Sequence, residues 1–169
     1  MTGAHRKPGA AILVPTLMIA SGGPIPQDVT DEEVAGPECV GEPVRVLVVD
    51  DEPDLRILLW LAVEADDRCR VVADASDGAE GVDLAAELQP DVVVIDHLMP
   101  RMNGIEAVPL LRRAAPDCKI IMLSALGHRH LRAEAIRAGA DAYMEKSSSF
   151  KPLLDLAVSL ARTGGRSSN

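Results

Sequence analysis

Four short apolar runs in this chain each deliver a group able to handle phosphate or a hard cation. Val92-Val93-Val94-Ile95 ends on Asp96 and breaks at once into the loop His97-Leu98-Met99-Pro100-Arg101-Met102-Asn103-Gly104. Val44-Arg45-Val46-Leu47-Val48-Val49 runs into Asp50 and Asp51, Ile120-Ile121-Met122-Leu123 into Ser124, and Ala142-Tyr143-Met144-Glu145 into Lys146. Three unpaired carboxylates within a few ångströms repel one another and drive one pKa up, a conflict that a divalent cation removes. Magnesium suits such a set, because it takes few carboxylates and keeps water and phosphate oxygens in its octahedron. With the cation present, Asp96 can attack phosphorus as an anionic nucleophile and form an acyl phosphate. Lys146 can supply a point charge to a phosphoryl oxygen, and the Ser124 hydroxyl can donate to another.

Taken singly, each residue has a plainer role. Asp50 or Asp51 reads equally as a helix cap, Lys146 as a solvated loop lysine and Ser124 as a turn residue. Their joint placement at strand exits carries the argument. The elements that must position them follow a repeating pattern. Val/Ile-rich runs near 44–49, 69–74, 91–96, 118–123 and 140–144 alternate with helical stretches near 53–66, 78–89, 104–115, 128–138 and 148–162. Five strands each followed by a helix predict an α/β domain, a parallel sheet covered on both faces. Right-handed crossovers then leave few topologies, and ligands bind outside the carboxyl ends of the strands.

Local signals support the helices. Asp77-Gly78 predicts a cap for the second and Asn103-Gly104 a start for the third. Pro109 lacks an N–H and clashes with the carbonyl of Ile105, which predicts a kink or a late start there. In the first helix Leu55, Leu58, Leu59 and Ala62 form the expected core stripe. Ile57, Trp60 and Leu61 lie on another face, where an exposed patch would mark a partner site and further core packing is the plainer reading.

The remaining composition sets limits. Apolar residues make up 47% of the 169, enough for a core, but aromatics only 2%, so Val, Leu, Ile and Ala must build it. A net charge of −9 argues against general nucleic-acid binding. The three cysteines have no metal-type spacing, and Cys69 and Cys118 read as small buried residues of a reducing compartment. No Gly-rich phosphate loop ends in Lys-Ser or Lys-Thr, which excludes a P-loop nucleotidase. No segment reaches the ~18 apolar residues of a membrane span. Residues 1–43 are rich in Pro and Gly and locally acidic, and read as a disordered extension or an over-extended start. Its apolar stretch Ala10 to Ala20 follows His5-Arg6-Lys7 and vaguely resembles a signal peptide, but Pro15 interrupts it, so a cytoplasmic protein is expected. The ordered domain is expected over 44–163, with a flexible tail at 164–169.

The motifs Val48-Val49-Asp50-Asp51-Glu52-Pro53, Asp96 to Gly104 with Met99-Pro100, Ser124-Ala125, and Ala138-Gly139-Ala140-Asp141-Ala142-Tyr143 leading to Lys146 together resemble the receiver domain of two-component response regulators. The resemblance covers about residues 44 to 162. It implies a doubly wound, flavodoxin-like (βα)5 fold with strand order 2-1-3-4-5. It implies that Asp96 accepts a phosphoryl group from a histidine kinase or phosphotransfer protein. Asp51 and Asp96 would ligate magnesium, with Asp50 acting largely through water and the Leu98 carbonyl as a further ligand. Ser124 and Tyr143 would act as switch residues, reshaping the surface of the fourth helix, fifth strand and fifth helix for a downstream partner or a phosphorylation-dependent dimer. For Tyr143 simple core packing is the competing reading. The first helix, with Ile57, Trp60 and Leu61, is where phosphodonor proteins would dock.

The expected protein is thus a stand-alone receiver, a signalling module with its own autophosphorylation and slow autodephosphorylation and no separate catalytic output domain. Two alternatives remain: an aspartyl-phosphate phosphohydrolase of small metabolites, and a receiver used as a scaffold without phosphorylation. The first needs a second Asp two residues after the nucleophile, where this chain has Leu98. Two departures from the family pattern stand out. Ser147 replaces the usual proline after Lys146, which makes a cis bond there unfavourable by about 3 kcal/mol and leaves the aim of Lys146 in question. Leu98 and Leu126, each two positions beyond Asp96 and Ser124, cannot easily orient an attacking water, which predicts a long-lived acyl phosphate.

Overall fold

In a computed structural model the described residues are 41–125, 131–147 and 149–163. The expected extension before residue 41 and the tail from 164 lie outside them, as do Leu126 and the first part of the expected fourth helix. Among the described residues ten elements alternate: β1 (Val44–Val49), α1 (Pro53–Glu64), β2 (Cys69–Ala75), α2 (Gly78–Leu88), β3 (Val92–Asp96), α3 (Gly104–Ala114), β4 (Lys119–Ser124), α4 (Arg132–Ala138), β5 (Ala142–Glu145) and α5 (Lys151–Thr163). The strands form one parallel sheet in the order β2-β1-β3-β4-β5, as the resemblance implies. Strand order reverses between β1 and β3, so the exits of these two strands flank the crevice where such sheets bind ligands.

The apolar strands are continuous because both faces of the sheet are covered. Leu47, Val49, Val93, Ile95, Ile120 and Met122 point to one face and pack with Ala85 of α2, Ala107, Val108 and Leu111 of α3, and Ala135 of α4. Val46, Val48, Val92, Val94, Ile121 and Leu123 point to the other and meet Leu59 and Val63 of α1 and Leu153, Leu154, Ala157 and Val158 of α5. Alternation along each strand therefore separates two cores rather than core from solvent. Cys69 and Cys118 are buried, and burial pushes both thiols up to about 11, which keeps them protonated and unreactive.

Caps fix the loops that carry the chemistry. Asp77 caps α2, accepting from the amides of Ala79 and Glu80. Asn103 and Glu106 form a reciprocal capping box on α3, with both bonds at 3.0 Å. That box starts α3 at Gly104, so Pro109 sits inside the helix and the late start expected from it does not occur. Pro109 leaves the Ile105 carbonyl without the helical N–H that another residue would offer it. α4 stops at Gly139, whose φ of 115° is the left-handed conformation of a helix C-cap.

Of the four residues expected in the core stripe of α1, Leu59 is buried and Leu55 packs beside it, whereas Ala62 is only half-buried and Leu58 is exposed. Leu55, Leu59 and Val63, each four apart, define the inward stripe of α1, and Leu58 falls off its edge at 52% exposure. Ile57, Trp60 and Leu61 are exposed as well, so α1 presents four large apolar side chains outward. Among the described residues no helix is long and apolar enough to cross a membrane.

Candidate functional site

The exits of β1, β3, β4 and β5 bring Asp50, Asp51, Asp96, Ser124 and Lys146 to one end of the sheet. Asp50 follows β1 and is buried. Its backbone N–H bonds the Ala75 carbonyl at 3.1 Å, and its Oδ1 accepts from the Glu52 amide at 2.9 Å. Arg56, one turn into α1, donates to the Asp50 carbonyl at 2.7 Å and pairs with Asp74 at 3.0 Å, which fixes this shoulder of the site. Sequence reasoning missed Arg56, because its partner is a backbone oxygen that no motif marks. Asp51 is exposed, and Asp96, the last residue of β3, is buried. One carboxylate oxygen from each of Asp50, Asp51 and Asp96 falls within 4.8 Å of the others, a spacing that a single ion could satisfy.

Lys146 closes the set. Its backbone N–H bonds the Ser124 carbonyl at 2.7 Å, which ties the β5 exit to the β4 exit. Its Nζ lies 2.9 Å from Asp50 Oδ2 and 2.9 Å from Asp96 Oδ1. The peptide bonds of the described residues are all trans, in keeping with Ser147 at the position after Lys146. With Ser147 at that position Lys146 still reaches both carboxylates.

Electrostatics follow from burial. Asp96 has its pKa raised, first because burial disfavours its charge and further because Asp50 lies near, while Lys146 opposes both. Burial alone would depress the Lys146 ammonium, but its bonds to Asp50 and Asp96 outweigh this and its pKa is raised. Three carboxylates against one ammonium leave the pocket with an excess of negative charge. Such an oxygen-only, underneutralised donor set fits a hard divalent cation.

The loop after β3 makes the closest backbone approach. Gly104 donates to the His97 carbonyl at 2.9 Å, and a Cβ at Gly104 would stand 2.3 Å from the Asp96 carbonyl oxygen. Only glycine allows this loop to fold back so closely on the Asp96 backbone. Leu98, within the loop, is 56% exposed, while Ser124 is buried at the end of β4. Tyr143 is half-buried and packs against the core on the α3 and α4 side. Ile57, Trp60 and Leu61, with Pro53, Arg56 and Asp74, line a groove of about 200 Å³ between α1 and the sheet edge.

Comparison with known proteins agrees with this geometry. Residues 46–157 match the response regulator receiver domain family. The chain is 42% identical over 104 residues to a protein-glutamate methylesterase/protein-glutamine glutaminase of Maricaulis maris, covering 60% of this chain and 26% of that protein. It is 40% identical over 112 residues to the transcriptional regulatory protein LiaR of Bacillus subtilis, covering 66% of this chain and 53% of that one. The chain thus spans between about a quarter and about half the length of these relatives. Among solved structures, the response regulator domain of Thermotoga maritima CheB superposes with a TM-score of 0.63 at 35% identity, covering 72% of this chain and 96% of that one. The signal receiver domain of the putative response regulator NarL from Mycobacterium tuberculosis superposes with a TM-score of 0.68 at 29% identity, covering 75% and 100%. Sequence motifs, sheet order and site agree, and the chain belongs to the response regulator receiver domain family.

Proposed function

We propose that Asp96 is the phosphoacceptor of a magnesium-dependent phosphotransfer from a histidine kinase or phosphotransfer protein. The observation that carries this reading is the convergence on Asp96 of Lys146 at 2.9 Å and of carboxylate oxygens from Asp50 and Asp51. Asp50, Asp51, Asp96 and the Leu98 carbonyl would hold magnesium, with Asp50 acting largely through water. The ion would neutralise the phosphoryl oxygens and the crowded carboxylates. An Asp96 carboxylate oxygen bonds to phosphorus as the donor's nitrogen–phosphorus bond breaks, and an acyl phosphate remains on the side chain. Lys146 exchanges a carboxylate contact for a phosphoryl oxygen, and the Ser124 hydroxyl donates to another.

The new charge-assisted bonds bias Ser124 and Tyr143, and through them the surface of α4, β5 and α5, toward a form that binds a downstream protein or a second copy of the chain. The outward patch Ile57, Trp60 and Leu61 supports docking of the phosphodonor on α1. Kinase phosphodonors also favour a cytoplasmic protein. A metabolite phosphohydrolase is disfavoured by Leu98, which offers no general acid two residues beyond Asp96. A scaffold role without phosphorylation is disfavoured by the complete charged set.

The test is intact mass after incubation with acetyl phosphate, with magnesium and with a chelator in its place. A gain of about 80 Da that requires the cation supports the function. No gain, or one indifferent to magnesium, opposes it.

A further inference from the structure

We propose that Arg101 is a positioning residue, which holds the cation-binding loop in place through the buried carboxylate of Asp77. The inference rests on the reading that the loop after Asp96 contributes to a magnesium site. Arg101 has φ 67°, a left-handed conformation that side-chain-bearing residues rarely adopt. At that bend its guanidinium pairs with Asp77, whose side chain is only 3% exposed although that of Arg101 is 74% exposed. Asp77 is already engaged. Its Oδ1 accepts from the amides of Ala79 at 2.8 Å and Glu80 at 3.1 Å, and its Oδ2 takes Arg101.

Beside this ion pair the loop has a second hold on α2. A Cβ at Gly78 would stand 2.9 Å from Met102 Cγ and 2.9 Å from the Met102 carbonyl oxygen, so the loop backbone rests directly on the first turn of that helix. At its base the loop is tied by the bond from Gly104 to the His97 carbonyl, 2.9 Å long. Residues 97–103 are therefore held at the base by Gly104 and at the apex by Asp77 and Gly78. Leu98 lies between the two holds with its side chain mostly in solvent, at 56% exposure, so its own packing contributes little. The apex ion pair then sets where the backbone at Leu98 stands relative to Asp96. Loss of the Arg101 side chain would free an unfavourable left-handed residue to relax and would leave a buried carboxylate with its two amide partners only.

The test is magnesium titration of the purified full chain by calorimetry, with amide hydrogen exchange measured over 97–103. The variants are Arg101→Ala, Asp77→Asn, the double substitution and Arg101→Lys. Asparagine retains an oxygen for the α2 cap and removes the charge that Arg101 meets. Each of the first two variants is expected to weaken magnesium binding on the order of threefold to tenfold. The double variant should be no weaker than either, faster exchange should be confined to the loop, and Arg101→Lys should recover part of the affinity. Unchanged affinity in both single variants, or effects that multiply in the double, would overturn the proposal. Failure of the wild-type protein to bind magnesium would instead overturn the function on which it rests.

Discussion

Lys146 Nζ stands 2.9 Å from Asp50 Oδ2 and 2.9 Å from Asp96 Oδ1, so one ammonium spans two buried carboxylates. Removing it leaves two like charges facing each other in a poorly solvated pocket. Lys146→Ala should therefore destabilise the magnesium-free protein by about 2 kcal/mol at neutral pH, below the cost for a fully buried pair because the lysine is a quarter exposed. It should also slow labelling by acetyl phosphate roughly 100-fold, since the phosphoryl group loses its cationic partner. Urea unfolding and timed mass spectra measure the two effects, and a variant as stable and as reactive as wild type would contradict both.

The raised pKa of Asp96 has a defined sign. Burial is the main cause, so ionising this carboxyl costs more in the folded than in the unfolded chain. That cost is fully present above the folded pKa, fades as pH falls through it, and is gone below the ordinary value of 3.8. In chelator, Asp96→Asn should thus be more stable than wild type at neutral pH, on the order of 1 kcal/mol, with the gap closing in acid. Thermal unfolding across pH checks this, and a variant less stable at every pH would contradict it.

The apolar face of α1 makes a separable prediction. Trp60→Glu, at a 40% exposed position well away from Asp96 in sequence, should slow phosphotransfer from the cognate kinase about tenfold or more. Labelling by acetyl phosphate should be spared. Equal loss with both donors would refute docking at this patch.

Leu98 is expected to govern the lifetime of the acyl phosphate. Its exposed aliphatic side chain, two residues beyond Asp96, cannot hold a water in line with phosphorus. The acyl phosphate should persist for minutes or longer in purified protein, and Leu98→Asn should shorten it several-fold. Decay of the wild-type adduct within seconds would contradict this.

Much of this was readable in the sequence, for a physical reason. Strands buried on both faces are largely apolar runs, so their ends, and hence Asp50, Asp96 and Ser124, could be located without knowing how the strands pair, whereas Lys146 follows the half-buried β5, which holds no Val or Ile. Leu58 was misassigned because a stripe read at intervals of three and four residues is wider than the contact that α1 makes, where spacing of four alone decides. Of the two outcomes expected from Pro109, the late start does not occur because the capping box between Asn103 and Glu106 fixes the start of α3 upstream of it. Asp77 was legible as a helix cap, but its pairing with Arg101 gave no signal. They stand 24 residues apart, and their meeting depends on one left-handed residue in a loop. Lys146 follows the short β5, and its partners, Asp50 just after β1 and Asp96 at the end of β3, are distant in sequence, so their meeting had to be inferred from the strand pattern.

Of the three adjacent carboxylates Asp50, Asp51 and Asp96, only Asp96 should take the phosphoryl group. Borohydride reduces an acyl phosphate to the alcohol, so a phosphorylated aspartate is left as homoserine at its own position. After treatment with acetyl phosphate, magnesium and borohydride, peptide mass spectra should show homoserine at position 96, with Asp50 and Asp51 intact. Homoserine at either of those two positions, or at none of the three, would contradict the account.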